Sequence, residues 1–419
     1  MTGLQCVKGM HDILPTDMPG WHFVEQSFKE LMSQYAYREI RTPVLEPLEL
    51  FVRGIGDATD IVEKEMYTFA DKGGVDLALR PEGTASIVRA YIQHGLDRQN
   101  SINKLFYIGP MFRRERPARG RFRQFYQAGA ELIGAGEPAA DAEMIEMAVR
   151  FVQRLGISDT AVLINTLGDA DTRKSYRDAL RSYFRHQADR LCQDCIRRLE
   201  NNPLRILDCK VTACIEACKE APLLHEHVSP TAMDHFSALQ QKLSLLNVDF
   251  KVQPRLVRGL DYYTRTIFEI QGGVDTLGAQ STIVGGGRYD GLIAQLGGKP
   301  TPTIGFAFGI ERLLLLLKED RFPPETRKIF VTGAGDDDYC HMVTIASMLR
   351  DAGFTVETPY ASGSLRSHMK RAARSGARFT AIVGEEEWQT GCVVLRDMQT
   401  GEQEAVAIEQ LAGKMMEKQ

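Results

Sequence analysis

Two apolar runs of strand length, Leu105 to Arg113 and Phe125 to Ile133, follow one another with only a polar loop between them. Consecutive strands joined this way pair antiparallel. The loop, Arg113-Arg114-Glu115-Arg116-Pro117-Ala118-Arg119-Gly120-Arg121-Phe122-Arg123, holds six arginines and one acid. Arginine carries a planar, permanently charged fork that matches phosphate. Six on one loop repel each other unless an anion sits among them; a solvated loop is the alternative. On the second strand, alternation puts Phe125, Gln127, Gly129 and Glu131 on one face. Gly129 leaves a gap between Gln127 and Glu131, which suits a small ligand, or else this face is polar and turned to water.

With 419 residues, the chain is long enough for two or three domains. Its net charge of -4 does not announce a nucleic-acid partner, so any such contact requires locally concentrated positive charge. Met1 to Pro19 contains no apolar signal core, and the longest apolar run, Leu313 to Leu317, is too short to span a bilayer. The expectation is a cytoplasmic protein without membrane contact. Five of the eight cysteines fall between Cys192 and Cys218. Without an export signal, a disulfide framework is not expected.

An amphipathic helix opens the fold, with Asp17 as its cap, Pro19 in its first turn, and Trp21, Val24, Phe28, Leu31 and Tyr35 at steps of three and four. A strand over 38–44, interrupted by Pro43, reads as an edge strand or a bulge. A helix from about Ala140 buries Met144, Met147, Phe151 and Leu155 and ends at Gly156. Residues 170–250 are charged, cysteine-bearing and helical, and read as an insertion. Glycine-rich β-structure resumes at Leu256, and an apolar helix spans about 309–318. The stretch 320–328, with Pro323 and Pro324, reads as a linker. Alternating strands and helices beyond it make an α/β domain.

Four further segments are candidates for chemistry. Arg80-Pro81-Glu82-Gly83-Thr84 sets a carboxylate and a hydroxyl at a turn, or is a helix start capped by Thr84. Arg258-Gly259-Leu260-Asp261-Tyr262-Tyr263 packs a cation and two tyrosines around a glycine, or is an aromatic strand facing the core. Gly285-Gly286-Gly287-Arg288-Tyr289-Asp290 lets backbone approach a ligand, or is a flexible turn. Arg312 starts an apolar helix. No phosphate loop and no dinucleotide fingerprint is present: Gly298-Lys299 is followed by Pro300. Any nucleotide must then be held by arginines on an antiparallel sheet.

Taken together, these residues resemble the class II aminoacyl-tRNA synthetases, and within them the histidyl-tRNA synthetase family of the bacterial type. Arg41-Thr42-Pro43 is similar to the class's first, dimer-interface motif, Phe112-Arg113-Arg114-Glu115 with Phe125 to the second, and Gly309-Ile310-Glu311-Arg312 to the third. Leu256 to Tyr263 and Val284 to Asp290 are similar to the two histidine-specific motifs of that family.

The resemblance implies an α+β fold. A class II catalytic domain over 1–322, with an antiparallel sheet flanked by helices, would be interrupted by the helical insertion 170–250. An anticodon-binding α/β domain would follow over 328–419. It implies ligation of L-histidine to tRNA(His) by way of a histidyl-adenylate, with ATP as substrate, Mg2+ on its outer phosphates, and a homodimer. Arg258 and Arg113 would be the catalytic cations. ATP would meet Arg113, Glu115, Arg121, Phe125 and Arg312. Histidine would meet Glu82, Thr84, Arg113, Gln127, Glu131, Arg258, Tyr262 and Tyr263. A regulatory relative without catalysis, or a sensor of uncharged tRNA, is the rival. The first typically lacks the C-terminal domain and the catalytic arginines, and the second carries extra domains such as a kinase.

Two features stay open. Arg366, Lys370, Arg374 and Arg378 are spaced by four, which gives either an RNA-facing stripe or a solvated helix face. Cys192-x-x-Cys195 has metal-ligand spacing, and Cys209, Cys214, Cys218, His225 and His227 could complete a shell. The resemblance asks for no metal there, so reduced thiols and no metal ligands are the expectation.

Overall fold

The computed structural model describes residues 4–418 except 57–58, 60, 210, 278–280, 319–320, 323–327, 334–337 and 362; the side chains of residues 170, 208, 274 and 275 are also outside it. Most of the stretch read as a linker therefore lies outside the described residues. The chain divides into two compact units, Met1–Phe322 and Pro323–Gln419.

The first unit begins with α1 (Met18–Gln34), β1 (Arg38–Glu39), β2 (Leu45–Pro47), α2 (Leu48–Ile55), β3 (Tyr67–Ala70), β4 (Asp76–Leu79) and α3 (Thr84–Gln93). The hairpin β5 (Asn103–Phe112) and β6 (Gln124–Ile133) follows, then α4 (Pro138–Arg154) and β7 (Thr160–Thr166). The helices α5 (Ala170–Arg185), α6 (Gln193–Asn201), α7 (Thr212–Cys218) and α8 (Pro230–Leu245) lead to β8 (Lys251–Val252). The unit closes with β9 (Thr264–Gly272), α9 (Val274–Leu277), β10 (Thr282–Arg288), α10 (Leu292–Gln295), β11 (Thr303–Gly309) and α11 (Ile310–Leu314).

The main sheet has the order β1-β5-β6-β11-β10-β9-β7-β8. Its six inner strands run antiparallel, and the two-residue edge strands β1 and β8 lie parallel to their neighbours. The strand expected over 38–44 is therefore only β1. Pro43 has no N–H to donate and separates β1 from β2. β2 instead joins a small sheet of order β2-β4-β3.

Period-2 alternation divides the main sheet into two faces with different work. On one, Ala128, Ala130 and Leu132 of β6, Phe306 and Phe308 of β11, and Phe268 and Ile270 of β9 pack under α1, α4 and α8. Phe28 is the hub, edge-on to Phe106, Phe151 and Phe308 at 5.0–5.8 Å. Burying each such ring contributes on the order of 2 kcal/mol. Asp17 precedes α1 as expected but accepts from the Leu14 N–H rather than from the helix, so its carboxylate secures the approach to α1.

The helical stretch 170–250 has two allegiances. Leu180 and Phe184 of α5, Cys195 and Leu199 of α6 and Cys214 of α7 belong to one cluster with Tyr262 and Tyr263. In contrast, Phe236, Leu239 and Leu243 of α8 belong to the core beneath the sheet. A buried ionic knot ties that side together. Asp141 of α4 pairs with Arg288 at 2.6 Å, accepts from the Thr266 hydroxyl at 2.6 Å and meets His235 of α8 at 2.9 Å.

The second unit contains β12 (Lys328–Gly333), α12 (Tyr339–Asp351), β13 (Thr355–Glu357), α13 (Leu365–Ser375), β14 (Phe379–Val383), α14 (Glu385–Gln389), β15 (Cys392–Asp397), β16 (Gln403–Ala407) and α15 (Ile408–Glu417). Its sheet has the order β13-β12-β14-β15-β16, parallel in the first three strands and antiparallel after them. Arg366, Lys370 and Arg374 lie exposed on α13. Arg378 does not share their face. Gly376 ends the helix in the left-handed conformation, φ 76°, and Arg378 stacks over Phe379 and reaches Asp397.

Candidate active site

The second face of the main sheet is the floor of a cleft of 690 Å³. β11 contributes Gly305, Ala307 and Gly309 and β10 contributes Gly285, so the middle of the floor is bare of long side chains. β6 raises one wall with Phe125, Gln127 and Glu131, and β9 raises the other with Glu269 and Gln271. The remaining site residues arrive from loops and helix starts. Glu82, Thr84, Arg113, Glu115, Arg121, Arg258, Tyr262, Tyr263 and Arg312 all line the same cleft. Segments from 82 to 312 are thus brought to one place.

One end of the cleft is cationic. Arg113 donates from Nε to the Pro81 carbonyl at 2.9 Å and stacks its guanidinium 5.3 Å from the Phe125 ring centre. Arg121 pairs with Glu115 at 2.8 Å. The pKa of Arg312 is held below the ordinary arginine value by burial and by the like charge of Arg121. An anion between these two cations would relieve that repulsion. Arg114, Arg116 and Arg119 are exposed and do not line the cleft. The arginine loop is folded back on itself, with Arg113 N–H donating to the Arg123 carbonyl and Ala118 and Arg121 exchanging backbone bonds.

Arg258 stands on a loop before β9, not in a strand. It is paired with Glu269, whose other oxygen accepts from the Thr282 hydroxyl at 2.7 Å. Burial opposes the charge on Arg258, but Glu269 and Tyr263 together more than offset it, and the guanidinium is held well above its ordinary value. Room for it comes from Gly285, where a Cβ would sit 2.1 Å from Nη2. Gly285, in the run expected to let backbone approach a ligand, lines the cleft and also makes room for the chain's own Arg258, while Gly286 and Gly287 pack against Phe268 and Tyr263. The next residues of that motif are also internal: Arg288 is in the Asp141 knot, and Tyr289 donates to Glu131.

The other end is a buried polar pocket. Glu131 accepts from the Tyr289 and Thr84 hydroxyls, the latter at 2.8 Å. Burial pushes its carboxyl up to about 8, against the pull of both hydroxyls. Gly305 is required beside it, because a Cβ there would lie 1.7 Å from the carboxylate oxygen. Glu82, rather than Thr84, caps α3, accepting from the backbone N–H groups of Thr84 at 2.7 Å and Ala85 at 2.8 Å. Thr84 is thereby free to serve Glu131. The gap left by Gly129 is not a slot for ligand: Tyr107, opposite it on β5, fills it, and a Cβ on Gly129 would meet the Tyr107 hydroxyl at 2.7 Å. The Gln127 Oε1 atom is buried without a hydrogen-bond partner and belongs to the wall of the cleft.

Glu269 and Tyr107 carry no functional signal in the sequence, and Tyr289 and Glu311 lie inside segments it singles out without a role of their own. Glu311 accepts from the Tyr126 N–H at 2.8 Å, and burial pushes it up to about 7. Only strand register could have found Glu269 and Tyr107, since each acts on a residue of another strand or loop.

Comparisons with known proteins agree with this geometry. The sequence model of the histidyl-tRNA synthetase family matches residues 9–313, and that of an anticodon-binding domain matches residues 329–418. A histidine--tRNA ligase of Trichlorobacter lovleyi is 48% identical over 403 residues, 96% of either chain. That of Geobacter metallireducens is 46% identical over 406 residues, 97% of this chain and 98% of the other. The apo histidyl-tRNA synthetase of S. aureus superposes with a TM-score of 0.83 at 36% identity, covering 99% of this chain and 100% of that one. The chain belongs to the histidyl-tRNA synthetase family.

Proposed function

We propose that the chain joins L-histidine and ATP to histidyl-adenylate and pyrophosphate, then transfers the histidyl group to tRNA(His) and releases AMP. The observation that carries this reading is one cleft that runs from the cations Arg113, Arg258 and Arg312 to the buried Glu131 pocket. The substrate carboxylate is already ionised, so the first step needs no general base. It needs in-line positioning and positive charge where charge develops on the α-phosphate. In this scheme Arg113 and Arg258 flank that phosphate, and Arg312 with Arg121 takes the outer phosphates. Phe125 stacks on adenine and Glu115 hydrogen-bonds it. Glu82, Thr84 and Gln127 receive the ammonium group, while Glu131, Tyr262 and Tyr263 surround the imidazole.

Among the described residues, neither of the side-chain groups able to hold a metal lines this cleft. The carboxylates that do are engaged: Glu115 by Arg121, Glu269 by Arg258, Glu311 by the Tyr126 N–H, Glu82 by the first N–H groups of α3, and Glu131 by the Thr84 and Tyr289 hydroxyls. This fits Mg2+ that enters on the phosphates of ATP, as part of the substrate, better than a resident ion. The likeness of Arg41-Thr42-Pro43 to the class's first motif supports a homodimer. No described helix is long and apolar enough to cross a membrane, and the place of action that suits this reaction is the cytoplasm. The domain limits that go with it are 1–322, interrupted over 170–250, and 328–419.

Pyrophosphate exchange with each of the twenty amino acids tests the reading. Exchange with histidine alone is expected; exchange with none, or with another amino acid, sinks it. On the second unit, the exposed Arg366, Lys370 and Arg374 of α13 form the RNA-facing stripe. Replacing Arg366 and Lys370 together by alanine should weaken tRNA(His) binding. It should also flatten the salt dependence by roughly 0.7–0.9 in slope for each phosphate that is no longer neutralised. Unchanged affinity and slope would assign the helix face to solvent.

A further inference from the structure

The fold gathers cysteines that are scattered in the sequence. Cys192 precedes α6 and Cys195 lies in its first turn, Cys209 follows the 3-10 segment Pro203–Asp208, and Cys214 lies in α7. Their sulfur atoms all lie within 4.8 Å of one another, with 3.9 Å between Cys192 and Cys209. All four are free thiols, and three of them are buried. Disulfide partners stand about 2.05 Å apart. In contrast, a tetrahedral zinc ion with Zn–S bonds of about 2.3 Å sets its sulfurs roughly 3.8 Å apart. Four sulfurs each within 4.8 Å of the other three leave room for one ion and no room for a polynuclear cluster.

The surroundings suit thiolates. Backbone N–H groups donate to two of the sulfurs, Cys192 N to Cys214 at 3.2 Å and Val211 N to Cys209 at 3.5 Å. Such outer contacts stabilise sulfur that carries negative charge. The other candidates for a shell stand apart. The Cys218 thiol donates to the Ile206 carbonyl at 3.5 Å, and the His227 ring nitrogen lies 3.3 Å from the Ser175 hydroxyl.

We propose that Cys192, Cys195, Cys209 and Cys214 bind one structural Zn2+ ion. Binding releases the thiol protons to solvent. With four protein ligands no position is open for water or substrate, so the ion supports structure rather than reaction. What it supports is specific. The helices it ties have nine and seven residues, and helices that short are marginal alone. Between the ligands Cys195 and Cys209 lies the segment that backs the Arg258 loop. Asn202 donates to the Asp261 carboxylate at 2.6 Å, and Arg205 to the Arg258 carbonyl at 3.5 Å. The ion thus holds the platform on which Arg258 stands, contrary to the metal-free reading of these cysteines.

The test is metal content, which is independent of what the cleft catalyses. Full-length protein is purified reduced, without chelator, from zinc-supplemented cells, and analysed by elemental mass spectrometry. One zinc per chain is expected, released in step with titration of four thiols by an organomercurial. Cys209→Ser should lose the zinc and Cys218→Ser should keep it. Because Cys209→Ser could fail to fold, intact protein is also stripped and reloaded with Co2+. The expected spectrum is that of tetrahedral cobalt with sulfur charge-transfer bands. Reduced wild-type protein that takes up neither Zn2+ nor Co2+ would overturn the proposal. So would a cobalt spectrum without sulfur ligation, or equal zinc loss in the folded Cys218→Ser variant.

Discussion

Replacing Arg258 by alanine should lower histidine-dependent pyrophosphate exchange by on the order of 10²-fold or more. The side chain is held by Glu269 and stands over the bare backbone of Gly285, so its fork is positioned before substrate arrives. A preorganised cation of this kind acts on charge that develops in the transition state, and the loss should fall on kcat rather than on KM for histidine. Arg258→Lys should recover little, because a point charge cannot keep both Glu269 and a phosphate in the geometry of a planar fork. Truncation also leaves Glu269 buried without its cation, which costs stability. Glu269→Gln in the Arg258→Ala background separates the two effects: it should restore thermal stability and leave exchange low. Near-normal exchange in Arg258→Ala would remove this residue from the chemistry.

The parts of this site that could be read in advance are those in which one local pattern decides. The β5–β6 hairpin follows from two apolar runs around a polar loop, and β6 alternation alone put Phe125, Gln127 and Glu131 on one wall. The periodicity of α1 placed Trp21, Val24, Phe28 and Leu31 in the core, although Tyr35 falls just past the helix end.

Where the reading failed, the deciding partner is remote. The gap at Gly129 is closed by Tyr107 through β5–β6 register, and Gly285 of β10 also makes room for Arg258 from another segment. A run such as Gly285-Gly286-Gly287 carries no alternation from which register could be taken. The shift at Thr84 is subtler. A carboxylate two residues earlier outcompetes its hydroxyl for the helix amides, and the hydroxyl turns to Glu131, far along the chain. Arg378 fell outside its expected face because a left-handed Gly376 ends the helix two residues before it. Cysteine spacing marked Cys192 and Cys195 as a pair, but only the 3-10 turn at 203–208 brings Cys209 to Cys192.

Glu131→Gln is expected to have the largest effect on amino-acid recognition. The substitution keeps size and removes the acid, so one partner of the imidazole changes while the pocket stays filled. A buried hydrogen bond that involves a charged group is worth about 1.5–3 kcal/mol, so kcat/KM for histidine should fall by roughly 10–150-fold. The KM for ATP should hold, because Glu131 lies at the far end of the cleft from the arginine loop. The variant also has a signature in pH. Burial raises the Glu131 carboxyl to about 8 in the free protein, so folding favours its protonated form. The stability this contributes is fully present below the ordinary carboxylate range and is lost as pH rises through about 8. Glutamine does not titrate. The melting temperature of Glu131→Gln should therefore rise relative to wild type between about pH 5 and about pH 9, with histidine absent. Saturating histidine should diminish the trend in the wild type, since an imidazole against the carboxyl changes which form is favoured. A melting-temperature difference that stays flat across this range, with unchanged kcat/KM for histidine, would place Glu131 outside the recognition of the ring.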